Sequence, residues 1–583
     1  MASERRSAWR PVRAAVVAVA GAAACGGASI REFPLRRPVT RDTDLRSVKL
    51  PCHSEPTPKD PKHVSCAPEV YVSPLAWDGV DNSIFRPLAR VFAVDPGREA
   101  PNVNSLDEVP DSAWFENRIG ERPMTLDELV RGACKEEQLL SGETAKDGAW
   151  LIDQGKSNGA SPGFRVKLRD RGKYMLKSDA PVPERPSAAA VIGAAVYHAV
   201  GFNTSCEQVV FIKQSAFTLT PGLTVTDNTE KTRPFDATAL QKVFDEATHR
   251  GPYVRFQASA WLPGYLLGPF RYEETRDDDP NDVIPHEDRR ELRGGRLLAA
   301  WLNHFDAREQ NSMDSWIGDG NPKKPELGPG FVRHYYLDTS DCFGSEWEWD
   351  GISRRLGRAY ILDWGYMSAD FVTLGFVRRP WELVRRHPGM EVFGYFDVEH
   401  FDPESWVNEY PNPAFSRMTE HDGAWMARIL SRFSPEMIRA LASMGRWEDP
   451  ARAAYLSTVL EGRLKKILAR YLTRLSPLSD VRVDGTRLCV TDLARASGVS
   501  QSTRYSAELV GLDHQGSSPL RVELPSGAAV CMDLPHVGKD RVGERSYAIV
   551  RIRSAAEGPL DVHLYDLGPA GGYRLAGLER PPP

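Results

Sequence analysis

Residues 187–200 are the segment that most restricts how this chain folds. They read SAAAVIGAAVYHAV, a nearly continuous apolar run that leaves an element built from it without a polar face for water. The length and alanine content favour a helix over a strand. The sequence therefore predicts a buried helix with other elements packed around it.

Short strands flank this helix in the sequence. Residues 149–153, 163–168 and 173–177 are separated by turns rich in Gly and Asp, and a further strand follows at 208–213. Three strands, one helix and another strand predict a mixed α+β unit built on an antiparallel sheet.

Helices are expected after residue 285. Pro285 and the acidic residues that follow it suit a first helical turn, which predicts a helix that ends near residue 302. Further helices are predicted to begin at Thr419, Ser434 and Asp449. After residue 477 short strands recur between Gly, Ser and Pro, a pattern typical of a small β-sandwich.

The first 25 residues predict export from the cytoplasm. Arginines precede the apolar run 14–24, and small residues lead into Cys25. This arrangement defines a secretory signal peptide. The string Ala-Ala-Ala-Cys at 22–25 resembles the bacterial lipobox, in which the cysteine is lipidated, although Leu usually stands three residues before that cysteine. A plain signal peptide with an incidental Cys25 is the alternative.

Export makes disulfides possible for the cysteines after Cys25. We predict that Cys52 pairs with Cys66, and Cys489 with Cys531. The remaining cysteines are Cys134, Cys206 and Cys342. Because their number is odd, at least one free thiol is expected, buried as a small apolar side chain. The chain contains no CxxC pair, which argues against a zinc ribbon.

Composition gives no support for a nucleic-acid partner. The net charge is -5 and charged residues make up 26% of the chain, as in ordinary globular proteins. A length of 583 residues is too great for one hydrophobic core and predicts several domains.

Four side chains suggest a specific chemistry. Asp306 and Asn311 lie five residues apart in a loop after the helix that ends near residue 302. Asp338 follows a later strand, with Asp341 as a competing candidate, and Lys177 ends an earlier strand. Protein kinases use Lys, Asp, Asn and Asp in this order to hold nucleotide phosphates and metal and to orient an acceptor hydroxyl.

With the strings around them, these residues resemble the atypical protein-kinase-like phosphotransferases, which include the HipA toxin kinases and the phosphatidylinositol kinases. They resemble more closely a bacterial lipoprotein family of the same superfamily. The strings that carry the resemblance are PGFRV at 162–166, KYMLKSD at 173–179, LGPFRY at 267–272, DDPNDVIPHEDRRELRG at 278–294, AAWLNHFDAREQNS at 299–312, RHYYLD at 333–338 and YPNPAF at 410–415. The resemblance implies a two-lobed α+β fold with a helical second lobe.

The resemblance also implies ATP with Mg²⁺ or Mn²⁺ between the lobes, and transfer of the γ-phosphoryl group to a hydroxyl of a protein, glycan or lipid acceptor. Lys177 would contact the phosphates and Asp306 would position the acceptor. Asn311 and Asp338 would hold the metal. Residues 255–261 would lie beside the adenine.

The loop after residue 154 is interpreted as a hairpin over the phosphates, made flexible by Gly155, Gly159 and Gly163. Residues 159–163 also match the G-x-S-x-G nucleophile elbow, but that elbow leads from a strand into a helix, whereas a strand follows here. His304 could act as a base, but the resemblance implies a structural role for it.

One departure from the kinase pattern keeps a second hypothesis open. Kinases hold the Lys with a Glu from the small-lobe helix, yet Ala190 occupies the expected place here. Glu184 or Glu207 would have to substitute. The alternative function is therefore a cell-envelope binding lipoprotein with a pseudokinase fold and no catalysis.

The predicted organisation is a lipoprotein signal peptide at 1–25, a Pro-rich tether at 26–75, an N-terminal extension at 76–145, kinase-like lobes at 146–265 and 266–476, and a β-sandwich-like domain at 477–583. The protein would be anchored through Cys25 in the periplasm, at the outer membrane or on the cell surface.

We predict that Cys25 carries a lipid, because it follows small residues and a short apolar run. Replacing Cys25 with Ala should release the protein from the membrane fraction. Metabolic labelling with a palmitate analogue should mark the wild type and leave the Cys25→Ala variant unmarked. An unmarked wild type would support the plain signal peptide.

Overall fold

Helices and antiparallel sheets are mixed along the chain, with 30% of residues in helix and 25% in strand, which confirms the α+β prediction. The computed structural model describes residues 97–582 except 157–160, 180–181, 227–230, 319–328, 345–348, 511–516, 538–545 and 555–556. It also describes 32–36, 39, 41–49, 53–54, 56, 58, 60–62, 64–65 and 80–91. The signal peptide, Cys25, Gly159 and the predicted Cys52–Cys66 pair lie outside the described residues.

An antiparallel sheet contains the strands predicted around the buried helix. Trp150–Gly155, Gly163–Leu168 and Gly172–Lys177 form a meander, and Tyr253–Ala260 lies between its last strand and Glu207–Lys213. Glu207–Lys213 and Phe217–Leu219 are outer strands, the latter paired in parallel, and the short strand His249–Arg250 also pairs with Tyr253–Ala260. This sheet is the larger of the two that meet near Lys177.

Helix Arg185–Val200 packs against this sheet and is buried along its whole length, apart from a half-buried His198. Its other sides contact the helical part of the protein, with which it shares one hydrophobic core. The prediction of a buried helix at 187–200 is confirmed.

A second antiparallel sheet consists of Tyr265–Gly268, Ser312–Gly318 and Gly330–Tyr336. The chain leaves the first sheet at Ala260 and enters the second at Tyr265. Residues 261–264 are therefore the crossing between the two sheets.

The later helices begin where their capping residues predict. The side chains of Thr419, Ser434 and Asp449 each accept a hydrogen bond from a backbone N–H of the first turn. The helix predicted from Pro285 begins instead at Arg290, because Arg289 is extended. The buried guanidinium of Arg289 lies over the Trp114 ring at 5.2 Å. This contact joins residues far apart in the sequence, so the local sequence pattern does not predict it.

Two antiparallel sheets follow residue 477 and share one core, as the sandwich prediction requires. One sheet has the order Leu478–Asp484, Arg487–Asp492, Ala529–Asp533, Val522–Glu523. The other has the order Ser517–Leu520, Tyr505–Val510, Ser546–Ser554, Leu560–Asp566, Tyr573–Glu579.

The other α-helices among the described residues are Arg86–Val91, Leu126–Arg131, Ala237–Asp245, Arg290–Leu302, Asp350–Arg355, Trp364–Thr373, Pro413–Ser416, Glu420–Leu430, Pro435–Ser443, Pro450–Tyr471 and Leu493–Ala496. Short strands at His53–Ser54 with Val64–Ser65 and at Thr224–Thr226 with Thr232–Pro234 form separate pairs. Among the described residues, no helix has both the length and the apolar character that a bilayer crossing requires.

Parts of the Pro-rich segment 26–75 are packed on the body rather than extended away from it. The backbone N–H of Phe33 donates to the Tyr547 hydroxyl at 3.0 Å. Val48 exchanges two backbone hydrogen bonds with Gly330, at 2.8 and 2.9 Å. The segment lacks helical or strand periodicity, which is why its composition suggested a tether. Single contacts of this kind do not require such periodicity.

The described part of the chain contains two disulfides, Cys134–Cys206 and Cys489–Cys531. The second was predicted, and the first uses two of the three leftover cysteines. Cys342 is the buried free thiol. Disulfides persist in oxidising compartments, which is consistent with an extracytoplasmic protein.

We predict that the double variant Cys134→Ala, Cys206→Ala loses about 2–5 kcal/mol of unfolding free energy, because the bridge closes a long loop. Urea unfolding measures this loss. Peptide mapping without reduction should show both bridges, and Cys342 should react with an alkylating agent after unfolding alone. Alkylation of Cys134 in the native, unreduced protein would contradict the pairing.

Candidate functional site

Lys177 and Asp338, which follow from the two sheets, contact each other, and we use the word cleft for the region around this pair, Asp306 and Asn311. The Lys177 ammonium lies 2.8 Å from the Asp338 carboxylate, although 161 residues separate them in the chain. Burial alone would raise the pKa of Asp338, but Lys177 and the Ser340 hydroxyl hold it well below its ordinary value. Burial would likewise lower the pKa of Lys177, and Asp338 raises it instead. Both groups are therefore charged at neutral pH.

A hairpin brings the backbone of Asn311 next to the residue that precedes Asp338. The strands Ser312–Gly318 and Gly330–Tyr336 pair with Ser312 opposite Tyr336. One step further, the Leu337 N–H donates to the Asn311 carbonyl at 3.0 Å. Because antiparallel register fixes which residues lie opposite each other, the end of this hairpin places Asn311 opposite Leu337, the residue that precedes the second predicted metal ligand, Asp338.

Asn311 is also bonded to Asp306 across the loop that connects them. Its side-chain amide donates to the Asp306 backbone carbonyl at 2.7 Å and to the Asp306 carboxylate at 2.8 Å. An amide that donates both hydrogens in this way leaves its own oxygen free to accept or to bind a cation. These two hydrogen bonds thus close the loop from Asp306 to Asn311.

The carboxyl of Asp306 is buried next to a second carboxyl, that of Glu409. Burial and Glu409 raise the pKa of Asp306 well above its ordinary value, against the opposing effect of Arg308. Arg308 lies 2.8 Å from Asp306 and 3.0 Å from Glu409. A raised pKa means that this carboxyl keeps its proton to a higher pH than an ordinary aspartate does.

Glu409 was not identified from the sequence. Glu409 directly precedes the YPNPAF string at 410–415. That string was the one signal in the sequence that this segment belongs to the site. The Glu409 N–H donates to the Phe305 carbonyl at 2.9 Å, which fixes this segment against the loop that carries Asp306.

His304 joins the buried helix to the Asp338 segment. Its Nε2 lies 3.0 Å from the Asp338 carbonyl, which can only accept, so Nε2 carries the hydrogen. Nδ1 therefore accepts from the Tyr197 hydroxyl at 2.8 Å. Burial lowers the pKa of His304 to about 4, so the ring is neutral at neutral pH, and both of its nitrogens take part in these hydrogen bonds.

Helix Arg185–Val200 supplies no carboxylate to Lys177, and Ala190 serves another purpose. The Ala190 carbonyl accepts from the Thr339 hydroxyl at 3.0 Å. One turn on, a Cβ at Gly193 would meet the Thr339 side chain at 2.5 Å, so this approach requires glycine. The helix thus holds the residue after Asp338.

Glu207 lies near Lys177 and Glu184 lies elsewhere. Glu207 is buried, accepts from Ser259 at 2.6 Å, and contributes to the raised pKa of Lys177. Glu184 accepts from the Glu448 N–H at 2.8 Å and pairs with Arg452. Of the two proposed substitutes for the missing Glu, Glu207 is the one positioned to act on Lys177.

The predicted glycine hairpin carries a lysine that sequence reasoning passed over. Gly155 ends one strand and Gly163 begins the next, and the Lys156 N–H donates to the Gly163 carbonyl at 3.1 Å. The Lys156 ammonium donates to the Ser161 carbonyl at 2.6 Å. Burial, followed by the charge of Lys177, lowers the pKa of Lys156 to about 8, while Asp338 raises it. Two ammonium groups therefore act on this cleft.

The strand predicted to lie beside an adenine, 255–261, forms most of Tyr253–Ala260. Arg255 is fully buried and pairs with Asp179 at 2.8 Å. Trp261 is 39% exposed at the crossing between the sheets, with the Arg165 guanidinium 4.9 Å from its ring. An exposed ring at this point offers a flat surface for another ring.

The cleft presents a limited set of metal ligands. Across the described residues, no group of three or more His, Cys, Asp or Glu side chains is arranged to hold a metal ion. Asn311 and Asp338 offer oxygen donors, which suit Mg²⁺, an ion that commonly binds through one or two side chains together with substrate phosphates. The donor chemistry thus fits a cation that arrives with a nucleotide.

No protein-family model, curated protein or solved structure matches this chain.

We predict a rise in stability between pH 8 and pH 10.5 that depends on Lys156. The unfolded chain keeps the lysine proton up to about pH 10.5, whereas the folded protein releases it near pH 8. The unfolded state therefore binds more protons in this window, and the unfolding free energy increases with pH. Urea unfolding at pH 7.5 and 9.5 should show a smaller increase for Lys156→Met than for the wild type.

Lys173→Met is the matched control, since it removes one 41% exposed cation from the same sheet. It should retain the wild-type rise. Equal pH dependence in the wild type and Lys156→Met would contradict the assignment of the rise to Lys156.

Proposed function

We propose that this protein is an exported, kinase-like phosphotransferase that uses ATP with Mg²⁺ or Mn²⁺ to phosphorylate a hydroxyl of an unidentified acceptor. The observation that carries the proposal is the joining of Lys177 and Asp338 at 2.8 Å in the cleft where Asn311 is bonded to Asp306. Their order along the chain is the order of the corresponding kinase residues, and these two contacts support the proposal.

In this proposal, Lys177 and Lys156 bind phosphate oxygens. The charge of Lys177 already lowers the pKa of Lys156, and phosphates would compensate the like charge of the two ammonium groups. Asn311 and Asp338 would hold the cation, which when bound neutralises phosphate charge. The bare Lys177–Asp338 pair would then open so that each partner takes a ligand of opposite charge.

Asp306 would accept the proton of the acceptor. The acceptor oxygen attacks the γ-phosphorus, the bond from that phosphorus to the bridging oxygen breaks, and ADP leaves. The hydroxyl proton passes to the Asp306 carboxylate, whose affinity for protons is increased by burial and by Glu409. Arg308, paired with both carboxyls, would limit their mutual repulsion.

A non-catalytic envelope protein with a pseudokinase fold is the second candidate. Ala190 favours it, since its carbonyl bonds to Thr339 and no Glu from that helix reaches Lys177. Nucleotide is also scarce outside the cytoplasm. In either case we propose a lipoprotein anchored through Cys25.

We predict that ATP with Mg²⁺ or Mn²⁺ stabilises the protein more than either component alone, by about 2.7 kcal/mol at 100 times the dissociation constant. Asp338→Asn should abolish the stabilisation, because the metal loses a ligand. Asp306→Asn should keep it and lose phosphotransfer, since that residue acts on the acceptor. Thermal unfolding and transfer of labelled γ-phosphate measure the two effects.

Asp341→Asn is the matched control, because Asp341 lies three residues beyond Asp338 and competes with it as the metal ligand. It should retain the ligand-dependent stabilisation. Stabilisation without transfer to any acceptor in the wild type would favour the pseudokinase. A wild type that no nucleotide stabilises with either metal would refute both the phosphotransferase and a nucleotide-binding pseudokinase.

A further inference from the structure

A cluster of large apolar side chains protrudes from the segment between Asp338 and Glu409. Phe371, Val372, Leu374 and Phe376 are 84%, 79%, 81% and 87% exposed. We call these four residues the apolar tip. Single exposed apolar side chains are ordinary on protein surfaces, whereas contiguous ones mark an interaction surface.

The apolar tip lies at the end of a helix that is attached at its base. In helix Trp364–Thr373, all of whose residues are described, none is buried. The Asp363 side chain caps the first turn, and the Tyr366 ring packs edge-on against Trp381 at 4.7 Å. The Arg379 guanidinium bonds to the Tyr366 carbonyl at 2.9 Å. These contacts hold the helix while its far end reaches into solvent.

The backbone turns sharply at the tip. Leu374 ends the helix with a left-handed φ of 51°, and Gly375 follows with a φ of 74°. A left-handed residue at a helix end reverses the chain direction, so the phenylalanines on either side of the turn project from one protrusion. The same helix also exposes half of Trp364 and nearly half of Met367.

Basic residues follow the tip directly. Residues 364–390 contain four arginines against two acidic side chains, Asp370 and Glu382. Of the arginines, Arg378 and Arg385 are exposed, while Arg379 is buried in its contact with the helix. The surface therefore combines protruding aromatic and aliphatic side chains with positive charge beside them, in a chain whose net charge is negative.

We propose that the apolar tip inserts into the surface of an anionic lipid bilayer, with Arg378 and Arg385 contacting lipid headgroups. Amphipathic segments of this composition bury their apolar side chains at the boundary between headgroups and acyl chains, and nearby arginines are attracted to anionic lipid. A protein partner would require a matching cavity, whereas a bilayer accepts an isolated protrusion of any detailed shape. The proposal rests on this surface alone and not on catalysis.

The experiment is vesicle co-sedimentation of the non-lipidated chain from residue 26 onward. Vesicles of phosphatidylcholine alone are compared with vesicles that also contain phosphatidylglycerol. The wild type should bind the anionic vesicles, and the variant Phe371→Asp, Phe376→Asp should bind them roughly tenfold less. Arg378→Glu with Arg385→Glu should remove the preference for phosphatidylglycerol and the weakening of binding by salt.

Leu567→Asp is the matched control, since Leu567 is a 41% exposed apolar residue in the C-terminal sandwich. It should bind like the wild type. Because the tip side chains are exposed, the double Asp variant should keep the wild-type unfolding midpoint, which separates lost binding from lost folding. Equal binding of the double variant and the wild type, or no binding by either, would overturn the proposal. Self-association of the wild type without vesicle binding would assign the surface to a second copy and overturn it as well.

Discussion

The burial of helix Arg185–Val200 is the constraint on which the cleft depends. Its residues are shared between a sheet on one side and helices on the other, so any displacement of the helix would expose apolar surface. Through Ala190, Gly193 and Tyr197 the helix contacts Thr339 and His304. The position of Asp338 relative to Lys177 thus depends on contacts with this helix, whose Arg185 also donates to the Ser340 and Cys342 carbonyls just beyond Asp338.

A second constraint comes from buried charges that join distant parts of the chain. Asp107 pairs with Arg290 at 2.5 Å, with Arg428 at 3.2 Å and with Arg580 at 2.5 Å. Burial would raise the pKa of Asp107, and the arginines hold it well below its ordinary value. Removing one member of such a cluster leaves uncompensated charge in the interior, which is far more costly than exchanging the whole cluster for apolar side chains. The N-terminal segment, the helical part and the C-terminal end are therefore held in one arrangement.

Local patterns in the sequence predicted the elements better than their connections. The buried helix, the strand that ends in Lys177 and the caps at Thr419 and Ser434 each depend on neighbouring residues, and each was found where expected. The Cys134–Cys206 bridge depends on the tertiary fold and was not predicted. The start of the helix at Arg290 was missed for the same reason.

Among the residues of the candidate site, too, those in local patterns were predicted and those that depend on the tertiary fold were not. Asp306 and Asn311 were proposed from their five-residue spacing, and hydrogen bonds join them. Lys177 and Asp338 were proposed from their places at the ends of strands, and an ion pair joins them. Glu409 and Lys156 act on the cleft through long-range burial and charge, for which one sequence offers little signal. The choice between Glu184 and Glu207 could not be made from the sequence, because both flank the same helix at similar distances along the chain.

The contact of Phe33 with the C-terminal sandwich limits how far the sandwich can lie from Cys25. Eight residue steps separate Cys25 from Phe33, and a fully extended chain of that length spans at most about 28 Å. If Cys25 is lipidated as proposed, the sandwich cannot move farther than this from the bilayer while Phe33 stays in place against Tyr547 and Tyr565. The long Pro-rich segment then adds nothing to the reach of the protein. A lipoprotein of this design would act on what lies close to its own membrane.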